Sequence, residues 1–182
     1  MKSMKVATFV IFMLGKLAFG QSWVEERTYV TPQGATPRID GLLTQPIKGQ
    51  IGSFVWFQVQ QGYSQAYGGA TYSPKPWVQF ALGAGLEEDK RPARIGSYVW
   101  IGKARLSALG VFEDGGSGFW HKAETNYQIS KTLGVGSLSE RFKGSGPKIE
   151  FSVPHTVLKL WFAPLVYKQT LRSVIGVRWS LK

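Results

Sequence analysis

Trp77-Val78-Gln79-Phe80-Ala81-Leu82-Gly83-Ala84-Gly85-Leu86 changes character at every step. Val78, Phe80, Leu82, Ala84 and Leu86 share one side, while Gln79, Ala81, Gly83 and Gly85 share the other. Successive side chains of a strand point to opposite faces, so a period of two predicts a strand with one apolar face and one small or polar face. The pattern recurs down the chain. In residues 148–153, Ile149, Phe151 and Val153 oppose Lys148, Glu150 and Ser152. In residues 171–181, Ile175, Val177, Trp179 and Leu181 oppose Val174, Gly176, Arg178 and Ser180. Residues 119–129 set Trp120, Lys122, Glu124, Asn126 and Gln128 against a softer face of Ala123, Tyr127 and Ile129.

Ten segments carry this reading: 51–60, 63–72, 77–86, 94–101, 104–113, 119–129, 133–142, 148–153, 157–167 and 171–181. Clusters of Gly, Pro, Ser and charge cut them apart, as turns require. Ile101-Gly102-Lys103-Ala104 suits a two-residue hairpin with Gly at the first central position, and predicts that Val99 faces Leu106 and Trp100 faces Arg105. No stretch has helix length with helix period. The expected fold class is therefore all-β and antiparallel, with ten strands and eight as the alternative even count.

The 182 residues fit one domain with a sizeable core. Charged residues make up 18%, below the roughly 25% of ordinary soluble domains, while aromatics reach 14% and Gly numbers 22. So many rings exclude a disordered chain. Without Cys there is no disulfide or zinc-thiolate framework, and no cofactor or metal site is predicted.

Residues 1–20 are expected to be a signal peptide: Lys2 and Lys5, an apolar run from Val6 to Gly15, then Ala18-Phe19-Gly20 before a cleavage point near Gln21. The run is too short to span a bilayer, which takes about 20 residues. Cleavage would leave 19 basic against 11 acidic residues, a net +8. Residues 21–49 contain Pro32, Pro37, Pro46, Gly34, Gly41 and Gly49 and no sustained period, which predicts an irregular leader or plug. Residues 50–182 are the expected barrel.

A soluble sandwich, a soluble barrel and a transmembrane barrel all accommodate alternating strands. The 133 residues from Gln50 to Lys182 allow about 13 per strand with its turn, which matches a transmembrane barrel. Tyr72, Trp77, Trp100 and Trp179 would lie near one rim, and Tyr63, Phe112, Phe119, Trp120, Phe142 and Tyr167 near the other, as interfacial belts do. With its signal peptide and a last segment ending Gly176-Val177-Arg178-Trp179-Ser180-Leu181, the chain resembles small outer-membrane β-barrel proteins of Gram-negative bacteria. The resemblance implies a bacterial outer-membrane location and recognition of the C-terminal strand by the barrel-assembly machinery. Lys182 and Trp179 stand where such strands usually end in Phe.

Turning the apolar face to lipid sends Arg105, Glu113, Lys122, Glu124, Lys148, Glu150, Lys159 and Arg178 inward or to a rim, because Lys or Arg facing lipid at mid-depth costs about 2 to 4 kcal/mol. Trp56, Gln58, Tyr98 and Trp100 would enter the same lumen and leave it filled or very narrow. At the outer end Lys90, Arg91, Arg94, Arg141, Lys143, Lys168 and Arg172 would ring the barrel where lipopolysaccharide presents phosphate, placing the excess charge there. Outer-membrane lipid and lipopolysaccharide are the expected partners. Nucleic acid is not, since export separates the two and the basic residues form no run. The expected role is structural, lipid-contacting or that of a narrow pore, without catalysis. Two alternatives stand beside it: a lipid-modifying hydrolase using Asp114, Ser117 and His121, the parts of a triad around one loop, and a soluble periplasmic barrel holding an apolar ligand.

Overall fold

A computed structural model describes residues 22–181. The expected signal peptide lies outside them. Twelve antiparallel strands close into one barrel: β1 (Trp23–Thr31), β2 (Gly34–Lys48), β3 (Ile51–Gln60), β4 (Tyr63–Lys75), β5 (Val78–Glu87), β6 (Ala93–Lys103), β7 (Leu106–Gly115), β8 (Trp120–Gln128), β9 (Leu133–Glu140), β10 (Gly144–Ser152), β11 (Leu158–Tyr167) and β12 (Thr170–Ser180). Each strand pairs with its neighbours in sequence. β1 meets β12 from Trp23↔Ser180 to Val30↔Ser173, so no edge is left open.

All ten expected segments overlap a strand, and the count is corrected to twelve by the stretch read as a leader. β1 and β2 occupy most of residues 21–49. Two of the three prolines there avoid the middle of the sheet. Pro32 lies in the β1–β2 turn and Pro46 at an irregularity in the β2–β3 register. Pro37 sits inside β2, one residue before its pairing with β3 begins at Arg38↔Gln60, so its missing N–H breaks no bond on that side. A further pair of prolines does interrupt a ladder. The β10–β11 register runs from Ser145↔Val166 to Ile149↔Phe162 with no pairing between, where Pro147 and Pro164 face each other.

The hairpin expected at Gly102-Lys103 is displaced by two residues. β6 and β7 pair as Lys103↔Leu106, Val99↔Gly110 and Trp100↔Leu109, and the turn falls on Ala104-Arg105, with Ala104 at φ 53°. The partners move by an even number of positions, so every side chain keeps its predicted face.

The twelve strands turn opposite chemistry to the two faces. Leu82, Leu86, Ile95, Phe112, Phe162 and Ile175 are exposed on the outside. Trp56, Tyr98, Arg27 and Lys122 are buried inside. The exterior is predominantly apolar around the barrel, which suits hydrocarbon rather than water, and its polar groups pair with one another: Glu26 with Thr28 on β1, Thr125 with Ser137 and Ser139 with Ser145 on β8 to β10. Outward aromatics gather near both ends: Tyr72, Trp77, Tyr127 and Trp179 toward the end that holds both termini, here the terminal mouth, and Phe112, Phe119 and Phe142 toward the far mouth. Tyr63, Trp100, Trp120 and Tyr167, expected in those belts, share inward parity instead and contribute to the lumen. All connections are short, two to five residues at either mouth.

Candidate functional site

The lumen is the site, and its two sides are built differently. Strands β3 to β7 supply rings and aliphatic groups. Phe54 lies edge-on to Tyr67 and Tyr98 at 5.8 and 5.2 Å, and Trp56 stacks on Tyr67 at 6.4 Å. Leu109 and Val111 complete the cluster, and Trp23 of β1 joins it edge-on to Trp56 at 5.6 Å. Space for these rings comes from strands two places along the barrel wall: a Cβ on Gly96 of β6 would run into the Tyr67 ring of β4, and one on Gly83 of β5 would press on Phe54 of β3.

The other side, β8 to β12 with β1 and β2, carries a continuous ion-pair network beside a smaller apolar cluster of Tyr29, Leu138, Trp161, Ala163, Leu165 and Val174. Glu124 receives Lys148 at 2.6 Å, Lys122 at 3.1 Å and Arg178 at 3.0 Å. Arg178 also reaches Glu25 at 2.6 Å, which accepts the Trp161 indole N–H at 2.9 Å. Arg27 bridges Glu25 at 2.8 Å, Asp40 and Glu140. Glu140 takes Arg38 at 2.7 Å and the Tyr29 hydroxyl at 2.7 Å. Lys148 and Lys159 share Glu150. Several of these links join strands four places apart around the ring, such as β9 to β1 and β8 to β12, so they run as chords through the interior.

A smaller node stands on the aromatic side near the far mouth. Arg94 binds Glu87 at 2.6 Å and Glu113 at 2.8 Å. Gln65 and Tyr67 donate to Glu113, and Tyr63 and Ser117 donate to Glu87. Ser117 thereby ties the β7–β8 turn to the barrel wall.

Among the described residues the lumen holds seven cations, Arg27, Arg38, Arg94, Lys122, Lys148, Lys159 and Arg178, against seven carboxylates, Glu25, Asp40, Glu87, Glu113, Glu124, Glu140 and Glu150. The interior is neutral, as burial of charge demands. The basic excess lies at the mouths. Lys48, Lys75, Lys103, Arg105 and Lys131 surround the terminal mouth, and Lys90, Arg91, Arg141, Lys143, Lys168 and Arg172 the far one, beside Glu88, Asp89 and Asp114. The expectation that one outer ring accounts for the charge is corrected: both mouths carry it.

Most of the predicted lumen charges sit where the pattern put them. Glu113, Lys122, Glu124, Lys148 and Glu150 are buried inside, and Arg178 and Lys159 stand partly exposed toward the terminal mouth. Arg105 does not join them, because the shifted hairpin places it in an exposed turn. Arg94, expected on the outer ring, is turned into the lumen by its parity with Gly96 and Tyr98. Trp56, Gln58, Tyr98 and Trp100 all face inward as expected. Glu25, Arg27, Arg38 and Asp40 were missed with β1 and β2. The signal was present, since Trp23, Glu25, Arg27 and Tyr29 alternate with Val24, Glu26, Thr28 and Val30.

The proposed triad does not assemble. Ser117 is engaged by Glu87 and Arg94, the His121 ring lies 5.8 Å from Phe119 on the outward face, and Asp114 points outward from β7. Among the described residues no hydrogen bond joins these three, and no cluster of His, Asp and Glu has the form of a metal site.

Each mouth opens into a cavity. A cavity of about 200 Å³ at the far mouth is lined by Arg38, Gln58, Gln60, Trp120, Arg141 and Lys143 among others. One of about 160 Å³ at the terminal mouth is lined by Thr44, Gln50, Thr71, Ser73 and Gln79. Their linings share no residue, and the side chains between them, Trp56, Tyr98, Val111 and Lys122, are fully buried. Burial lowers the Lys143 ammonium below its ordinary pKa; Glu140 opposes this, while Arg38 and Arg172 add to it.

A closed, inside-out barrel with polar vestibules is a fold shared with solved outer-membrane porins. Among solved structures, the chain is similar to the KdgM porin, with a TM-score of 0.61, 16% identity, and coverage of 88% of this chain and 99% of that one. A KdgM porin in complex with disordered oligogalacturonate matches at 0.61 and 15%, with coverage of 88% and 99%. The NanC porin matches at 0.53 and 11%, again covering 88% and 99%. Comparison with protein families and with curated sequences finds no match.

Proposed function

We propose that the protein is an integral outer-membrane barrel, its terminal mouth toward the periplasm, that serves as a narrow, noncatalytic passage for small solutes. The observation that carries this reading is the inversion of the barrel: an apolar exterior around a neutral, ion-paired interior with a polar vestibule at each end. A lumen crossed by chords of charge and filled between its vestibules rules out wide diffusion and limits passage to ions and small solutes admitted when those chords rearrange. The cations at both mouths concentrate anions, so permeation favours them. The oligogalacturonate bound by the similar porin suggests acidic saccharides as one class of solute. The neutral interior here supports weaker retention of such a polyanion than a basic lumen would.

Planar-bilayer recording tests the passage. The expected result is a small unit conductance, with a reversal potential in a salt gradient that reports anion preference. Cation preference would overturn the selectivity, and a silent barrel the passage itself. Heat-modifiable migration and extraction only by detergent are expected of the membrane protein. Recovery from the soluble periplasm would sink the reading and favour the soluble barrel.

A further inference from the structure

The far mouth distributes its cations unevenly. Lys90 and Arg91, on the β5–β6 turn, stand beside Glu88 and Asp89, whereas the β9–β10 turn carries Arg141 and Lys143, the β11–β12 turn Lys168 and the start of β12 Arg172, with no carboxylate in either turn. Two of these cations are held in place. Arg141 donates to the Phe119 carbonyl and lies 5.6 Å over the Phe119 ring and 4.6 Å over that of Phe142. Arg172 donates to the Phe142 carbonyl at 2.9 Å and lies 4.6 Å over Tyr167, with the Lys168 ammonium 5.5 Å from the same ring.

Phe142 sits at φ 68°, a region that suits Gly or Asn and strains a bulky residue. The residue is nevertheless 51% exposed, and with Phe119 and Arg141 it lines the far-mouth cavity. A turn that tolerates strain while presenting an exposed aromatic ring at the rim of the mouth, under a fixed guanidinium, has the form of an interfacial anchor. Rings of this kind settle at the boundary between acyl chain and headgroup. Guanidinium groups at that level meet phosphate oxygens in paired, charge-assisted hydrogen bonds.

We propose that Arg141, above the rings of Phe119 and Phe142, and Lys168 and Arg172, above that of Tyr167, form at the rim of the far mouth a binding site for the phosphate headgroup of an outer-leaflet glycolipid. The site rests on the outer-membrane placement proposed above. It narrows the candidate phosphate contacts from a full ring to one crest over β9 to β12.

The test uses the full-length protein folded in detergent and native mass spectrometry, with diphosphorylated lipid A, its dephosphorylated form and inorganic phosphate as probes. The folded protein should retain the diphosphorylated lipid at about tenfold lower concentration than the dephosphorylated one. Arg141→Gln with Arg172→Gln should abolish that difference, and Phe142→Gly should weaken both lipids alike. Lys75→Gln with Lys103→Gln, at the other mouth, should change nothing. Equal retention by the parent and the Arg141, Arg172 variant would overturn the site, as would competition by inorganic phosphate as effective as that of the lipid. A chain that never acquires heat-modifiable migration would defeat the membrane placement and the site with it, whereas a folded barrel without lipid preference defeats only the site.

Discussion

Strands β3 to β7 fill their half of the barrel mainly with rings, with one ion-paired node at Arg94, whereas β8 to β12 with β1 and β2 fill theirs mainly with ion pairs, around the smaller cluster of Leu138, Trp161, Leu165 and Val174. Rings fill space through contact with whatever lies next to them, and need room, which Gly83 and Gly96 provide. Charges fill space only in combination, since each buried carboxylate requires cations that reach it, here from as far as Glu140 on β9 to Arg27 on β1. One half should therefore respond to changes of volume, and the other to changes of charge at constant volume.

The largest expected effect is in the ion-pair half. Arg27→Ala removes a partner from Glu25, Asp40 and Glu140 at once, and breaking buried pairs of this kind costs about 3 to 5 kcal/mol. Urea unfolding of the protein refolded in phosphatidylcholine vesicles measures the loss. The same variant deletes a chord, so unit conductance should rise; a destabilised barrel with unchanged conductance would show that Arg27 lies off the permeation path.

The aromatic half is tested by volume. Gly96→Val drives a side chain into the Tyr67 ring, and overpacking of this sort costs about 1 to 3 kcal/mol. In a Tyr67→Ala background the same substitution should be close to neutral, because the added methyls enter the space the ring has left. A Gly96→Val penalty that persists without the Tyr67 ring would place the strain in the backbone instead.

The outward faces of this contrast were legible in the sequence and the inward pairings were not. Alternation located ten strands, and Glu113, Lys122, Glu124, Lys148 and Glu150 fell inside because parity is a local property. β1 and β2 escaped because Pro32, Pro37, Pro46 and their neighbouring glycines look like loop residues, although two of those prolines lie at a turn or an irregularity and the third where pairing with β3 has not begun. The hairpin register failed through the choice of turn residue. Gly102 attracts the turn on paper, but a Cβ there would meet the Trp100 ring, and Ala104 takes the left-handed position. The chords could not be read at all: Glu140 lies 102 residues from Arg38 and 113 from Arg27, and nothing local marks such partners.

A middle-sized effect separates a structural serine from a nucleophile. Ser117→Ala removes a hydroxyl that donates to Glu87 at 2.5 Å and accepts from Arg94 at 2.9 Å, and loss of a hydrogen bond to a charged group costs about 1.5 to 3 kcal/mol. His121→Ala and Asp114→Ala, on the outward face, should each stay within about 0.5 kcal/mol. Lipid A mass in cells expressing the parent should match that in cells without it. A mass change that vanishes in the Ser117 and His121 variants would revive the hydrolase.

The last pair of variants isolates burial as the variable. Lys148 and Lys159 both bind Glu150, at 3.1 and 2.8 Å, but the Lys148 side chain is 1% exposed and that of Lys159 33%. Lys148→Gln leaves Glu124 and Glu150 short of a cation in the interior and should cost about 3 kcal/mol or more. Lys159→Gln removes a shorter contact from the same carboxylate, yet water at the terminal mouth can solvate what remains, so the cost should be at most about 1 kcal/mol. Raised salt in the unfolding assay should narrow the small effect and leave the large one in place, because ions screen the mouth and not the packed interior. If the two lysines prove equal, water reaches Lys148 as readily as Lys159, and the ion-pair half is an open, hydrated path rather than a packed wall.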